Sequence, residues 1–155
     1  SAAAIFWMFN DSWPVTHGWT IVDYYLRKKL AFHPVRRAFQ PITVVVAADE
    51  EEVVVYGVND SMEAWSGELR YGLFLLAGGM PLDRRQSVTL PANASTPLAR
   101  FSLGEWTKAG PRQSGAFATL HRGKELVAQH RLFVESSVPT WLRRRADASD
   151  SMVSR

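Results

Sequence analysis

At 155 residues with a net charge of +3 and no cysteine, the chain can bury one or two small cores but cannot carry a disulfide framework, a thiolate metal site or a thiol nucleophile. A hydrophobic content of 46% against 21% charged residues excludes wholesale disorder, and the scattered positive residues lack the aromatic interleaving of a nucleic-acid module. No apolar stretch approaches the ~20 residues of a membrane span, and Ser1-Ala2-Ala3-Ala4 reads as a cloning remnant or processing scar rather than a signal peptide, so a soluble chain with neither nucleic acid nor membrane as partner is expected.

Residues 1–41 carry the most informative pattern. The apolar run Ile5 to Phe9 reads as a buried parallel strand. It ends abruptly in Asn10-Asp11, with Trp13-Pro14, Trp19 and Asp23-Tyr24-Tyr25 close behind. Polar residues where a buried strand ends are the mark of the working end of an α/β barrel. A helix is expected from about Lys28 to Phe39, with Phe32, Val35 and Phe39 on one face and Arg36 and Arg37 at the negative end of its dipole. Pro34 fits that helix only within its first turn, and Gln40-Pro41 closes the segment.

From Ile42 to Glu135 the period changes to alternation. Seven strands are expected, near 42–48, 52–58, 67–76, 85–90, 97–103, 115–122 and 125–134. Turn signals separate them at Asn59-Asp60-Ser61, Gly78-Gly79, Pro91-Ala92-Asn93, Gly110-Pro111 and Arg122-Gly123-Lys124. Leu69, Tyr71, Leu73 and Leu75 share one face, as do Leu126, Ala128, Leu132 and Val134, with His130 among them. Short strands at this spacing predict a mainly β chain built on an immunoglobulin-like antiparallel sandwich of the disulfide-free kind. Its core should include Val44, Val55, Leu73, Phe101, Leu120 and Leu132. Residues 136–155 read as a flexible tail, although Trp141-Leu142 could dock.

The front segment also carries a resemblance. Trp7-Met8-Phe9-Asn10-Asp11-Ser12-Trp13-Pro14, then Trp19, then Asp23-Tyr24-Tyr25 and Lys29, resembles the end of the catalytic barrel in β-mannosidases of glycoside hydrolase family two. There a W-x-x-N-D-x-W-P segment forms the eighth strand and its loop, a D-Y-Y-G-x-x-K segment leads into the eighth helix, and an immunoglobulin-like domain follows. Val58-Asn59-Asp60 is also similar to what comes next in that family. The match is specific over residues 5–39 and architectural over 42–135. Leu26 stands where the family has glycine, and His33-Pro34 interrupts the expected helix.

The resemblance implies that residues 1–41 are a strand-loop-helix remnant of a (β/α)8 barrel, and that the chain is a carboxy-terminal part of a larger retaining enzyme. The missing barrel would then be its partner, and a β-mannoside-type sugar its ligand only in that setting. Trp7 would stack on the sugar next to the cleaved bond, Asn10 and Asp11 would hydrogen-bond at the pocket mouth, and Trp13 would form a neighbouring wall. Trp19, Asp23 and Lys29 would anchor the loop and helix. Retaining glycosidases need two carboxylates about 5–5.5 Å apart, which the family places upstream of this segment. Asp49, Glu50, Glu51 and Glu52 read as a solvated turn, and Glu63, Glu68, Glu105, Glu125 and Glu135 are dispersed. No catalytic residue, metal ligand or cofactor is therefore expected here, and His130 reads as a core histidine.

Two other classes compete: a stand-alone carbohydrate-binding sandwich, with Trp65 and Trp106 as its candidate aromatics, and a structural immunoglobulin-like module. Neither explains residues 5–39. An isolated strand at 4–10 would also offer a bare edge through which two copies could associate.

Overall fold

A computed structural model describes residues 5–15, 18–48, 51–110 and 113–133. The four-residue start, His17, Val134 and the tail 136–155 lie outside the described residues. Residues 1–40 and 41–155 form two compact units.

In the first unit the expected barrel strand is absent among the described residues. Residues 5–9 form no ladder, and pairing is confined to single bridges, Asn10 with Val22 in parallel and Val22 with Lys28 antiparallel. A barrel strand exists only where neighbours bond both of its edges. Here the Phe9 carbonyl takes the N–H groups of both Ile21 and Val22, at 3.2 and 3.0 Å, and Met8 sits at φ +66°, which breaks extension. The helix is also shorter than expected. Helix α1 spans Phe32–Ala38, so Lys28 to Ala31 stay outside it. Pro34 explains the late start: it lacks an N–H and is tolerated only in the first turn, where it now lies. Arg36 and Arg37 do fall in the last turn. Phe32 and Val35 are half-buried while Phe39 is exposed, its ring edge-on to Phe6 at 6.1 Å.

The second unit is the expected antiparallel sandwich. Its strands are β1 (Ile42–Ala48), β2 (Glu52–Asn59), β3 (Trp65–Leu75), β4 (Leu82–Leu90), β5 (Ala94–Ser102), β6 (Ser114–Arg122) and β7 (Glu125–Leu132). One sheet runs β1-β2-β5 and the other β4-β3-β6-β7. Val44, Val55, Leu73, Phe101 and Leu120 are buried between them, with Leu132 packed partly buried at the margin. Period-two side-chain placement is what delivers these residues to one interior.

Irregularities have local causes. Between β2 and β5 the register slips where Tyr56 meets Pro97; proline cannot donate to a ladder and is held to edge strands such as β5. Between β6 and β7 the register slips at Leu120/His121. The extra residue swaps faces, so Leu126, expected inside, is exposed and Val127 packs on the core instead. Gly72 holds φ +153°, and a Cβ there would lie 1.9 Å from the Leu82 carbonyl oxygen. Only glycine lets β3 and β4 approach this closely.

A second helix, α2 (Leu103–Ala109), was not expected. It closes one end of the sandwich with Trp106, whose indole N–H donates to Ser114 Oγ at 3.1 Å. Asn59, fully buried at the end of β2, ties that end down by donating to the Glu63 and Leu90 carbonyls and accepting from Ser61.

His130 connects the two sheets. Its Nδ1 accepts the Val46 N–H of edge strand β1 at 3.1 Å, satisfying a donor that no strand covers. Burial pushes its pKa down from the ordinary value, because an imidazolium loses hydration and Nδ1 can no longer accept. With the folded value below the unfolded value near 6.5, the unfolded chain takes up the proton first, so stability is full above that pH and declines as pH falls through it. Asp11 and Asp83, whose values are lowered, respond in a separate window below about 4. Urea unfolding between pH 8 and 5 should therefore show falling stability in the wild type. His130→Leu should flatten that slope by up to one proton's worth; an unchanged slope refutes the assignment.

Candidate functional site

In the first unit a polar cluster at Asp11 and Thr20 is buried alongside the apolar Ile21 and Val22. Asp11 is only 6% exposed. Its Oδ1 accepts from the Thr20 hydroxyl at 2.7 Å, and its Oδ2 lies 2.8 Å from the Lys29 ammonium. Lys29 also donates to Thr20 Oγ1 at 2.7 Å and to the Gly18 carbonyl at 3.3 Å. The ammonium thus hydrogen-bonds Thr20 and Gly18 and pairs with Asp11 Oδ2 as an opposite charge in contact. Lys29 first, then Thr20, holds the Asp11 carboxyl below the usual carboxylate range. Glycine is required at position 18, because a Cβ would sit 2.4 Å from Asp11 Oδ1. Residues 11 to 29 are in this way tied into one loop by charge-assisted bonds.

Asp23 anchors the far turn. Its Oδ1 accepts from the Arg27 N–H at 2.8 Å and its Oδ2 from Arg27 Nε at 2.6 Å. Within that turn Leu26 holds φ +62°, a left-handed conformation that costs a non-glycine residue about 1–2 kcal/mol. This is the position where the D-Y-Y-G-x-x-K pattern carries glycine, so the pattern's glycine has a backbone reason.

The four residues expected to bind substrate fall in two groups. Trp7 is 76% exposed and Trp13 64%, and Asn10 is also exposed, donating from Nδ2 to the Asp11 carbonyl at 3.2 Å. Asp11 is turned inward. Trp13 and Asp11 do share a cavity of about 120 Å³ with Met8, Ser12, Trp19 and Thr20, whereas Trp7 does not line it. Trp19 is exposed as well. The loop therefore presents indole faces on a base braced by buried charge. Lys29 and Thr20, the braces, go beyond the four expected contacts; Lys29 was legible as an anchor, while Thr20 carried no signal.

On the sandwich, Trp65 and Trp106 are both buried and offer no face to a sugar, which removes them as candidate binding aromatics. Glu52, Glu68 and Glu105 are each ion-paired, to Arg100, Arg85 and Arg84. Among the described residues no three His, Cys, Asp or Glu side chains gather as a metal site, and no helix is long and apolar enough to cross a membrane.

Comparison with known proteins places this architecture. The family model described as "Mannosidase Ig/CBM-like domain" matches residues 51–137, more than half of the chain. The chain belongs to that family. The chain is 38% identical over 73 residues to a beta-mannosidase B of Thermothelomyces thermophilus, covering 43% of this chain and 8% of that protein. It is 47% identical over 49 residues to a beta-mannosidase B of Aspergillus flavus, covering 32% of this chain and 6% of that protein. Among solved structures it is similar to a beta-D-mannosidase from Dictyoglomus thermophilum, with a TM-score of 0.72 and 30% identity over 82% of this chain and 15% of that one. That coverage is more than residues 41–155 make up, so the likeness reaches into the first unit. The chain spans less than a sixth of the length of each of these proteins.

Proposed function

We propose that this chain is the carboxy-terminal part of a retaining glycoside hydrolase of the β-mannosidase type, contributing part of the sugar pocket and an accessory sandwich. The observation that carries the reading is the loop of residues 7–29, where the buried Asp11–Lys29–Thr20 cluster braces a surface of exposed indoles at Trp7, Trp13 and Trp19. The mannosidase names of the relatives support the same direction.

In this reading Trp7 stacks on the sugar, whose axial C–H groups meet the π face. Asn10 offers its amide at the pocket mouth, and Trp13 walls the side. Asp11 contributes chiefly by fixing where Asn10 and Trp13 stand, with its carboxylate at the cavity floor. The nucleophile and the acid/base are supplied by the rest of the enzyme, because the described glutamates paired with arginine on the sandwich cannot act as that couple.

The isolated chain is accordingly expected to give no turnover of aryl β-mannosides. Turnover by a rigorously pure preparation, abolished by a substitution within these 155 residues, would overturn the reading.

A further inference from the structure

The outer face of the four-stranded sheet carries a second cleft, of about 250 Å³, well away in sequence from the aromatic loop. Its strands bring Arg70 opposite Thr119, Thr119 opposite Gln129, and Phe117 opposite Arg131. Arg70 and Phe74 on β3, Phe117 and Thr119 on β6, and Gln129 and Arg131 on β7 line it.

The two guanidiniums are held on aromatic rings. Arg70 lies over Phe117 at 5.8 Å and Arg131 over Phe74 at 5.7 Å. A cation–π contact draws each guanidinium toward a ring and leaves its N–H edge available to a planar anion. Arg70 is neutralised: its Nε and one Nη each donate to Asp83 at 2.8 Å, and the other Nη keeps its donors. Arg131 has no carboxylate partner among the described residues. Gln129 beside it is exposed, its amide likewise unpaired among them. The cleft therefore holds one uncompensated positive charge, the hydrogen-bond donors of Arg131 and Gln129, and apolar walls at Phe74 and Met80.

We infer that this cleft binds a monocarboxylate carried on a single ring. One negative charge neutralises Arg131, whereas a dianion would leave an excess beside Asp83. A carboxylate matches the planar fork of Arg131 in two parallel hydrogen bonds. The volume lies below the 300–1,000 Å³ typical of drug-sized ligands, which limits the body to about one ring. Two sources carry that chemistry, a sugar acid and an aromatic acid.

The test titrates the full chain at fixed ionic strength with glucuronate, benzoate, methyl mannoside and inorganic phosphate. Binding is followed by amide and side-chain NMR shifts and by calorimetry. Saturable shifts confined to Arg70, Gln129, Arg131 and their neighbours, produced by a carboxylate and not by methyl mannoside, support the inference. A response to glucuronate alone assigns the sugar acid, one to benzoate alone the aromatic acid. Arg131→Gln, at an exposed position that should leave the fold intact, is expected to weaken binding about tenfold or more. Phe74→Leu, which removes the ring beneath Arg131, should weaken it less. No saturable response, equal binding of methyl mannoside, tighter binding of phosphate, or undiminished binding by Arg131→Gln overturns the inference. None of these outcomes bears on the aromatic loop, which lies in the other unit.

Discussion

Replacing Trp106 with alanine is expected to destabilise the sandwich by about 3–5 kcal/mol, the range for removing a fully buried large aromatic. Trp106 has no exposed surface and is the buried residue of α2, so nothing else can fill its place without moving the helix. Its indole N–H donates to Ser114 Oγ at 3.1 Å, and that hydroxyl in turn donates to the Gly110 carbonyl at 2.6 Å. The substitution thus opens a cavity and breaks a chain joining the end of α2 to the start of β6. Domains of this size are stable by roughly 5–15 kcal/mol in all, so the variant should unfold at much lower urea. Trp106→Phe separates the two effects. It keeps most of the volume and loses the donor, and should cost about 1–3 kcal/mol, the penalty for an unpaired buried partner. A loss under about 1 kcal/mol in the alanine variant would mean that α2 is not part of the cooperative unit.

That helix is also where the sequence reading failed despite a signal. Ser102 and Glu105 stand at capping-box spacing, the Ser102 hydroxyl accepts from the Gly104 N–H, and Gly110 follows at φ +81°. Phe101 and Leu103 looked like the alternating end of a strand, and a seven-residue helix is too short to impose a period of its own. The seven strands were legible because alternation such as Leu69, Tyr71, Leu73 reports burial of one face, and the turns were marked by glycine, proline and asparagine. On β7 the expected face holds at Ala128 and Leu132 and fails only at Leu126, which precedes the bulge, because one extra residue there switches the face without leaving a mark in the sequence.

The front segment shows a different limit. An apolar run such as Ile5 to Phe9 reports that cover is needed, not what supplies it. Without neighbouring strands in its own unit it forms none. The candidate site was readable from its motif at Trp7, Asn10, Asp11 and Trp13, yet the motif could not tell an exposed contact from a buried brace. Asp11 is the case in point: composition makes it a hydrogen-bonding residue, and only the positions of Lys29, Thr20 and Gly18 make it a structural one.

Trp7→Ala, introduced into the whole enzyme to which this segment would belong, is expected to lower kcat/KM toward β-mannosides by about 10–100-fold. Stacked against a sugar, the indole would bury apolar surface worth about 1.5–3 kcal/mol, and each 1.4 kcal/mol is about tenfold. The same substitution in the isolated chain should leave its unfolding midpoint unchanged, because Trp7 is 76% exposed and contributes little to the packing of its own unit. The pairing of a large kinetic loss with no stability loss is what distinguishes a ligand contact from a core residue. A control at Phe39, an exposed aromatic of the same unit outside the W-x-x-N-D-x-W-P segment, should leave kcat/KM within about twofold, as expected where no transition-state contact is removed. If Trp7→Ala and Phe39→Ala lower activity equally, the exposed rings serve to dock this chain on the rest of the enzyme rather than to hold the sugar, and the assignment of Trp7 to the pocket fails.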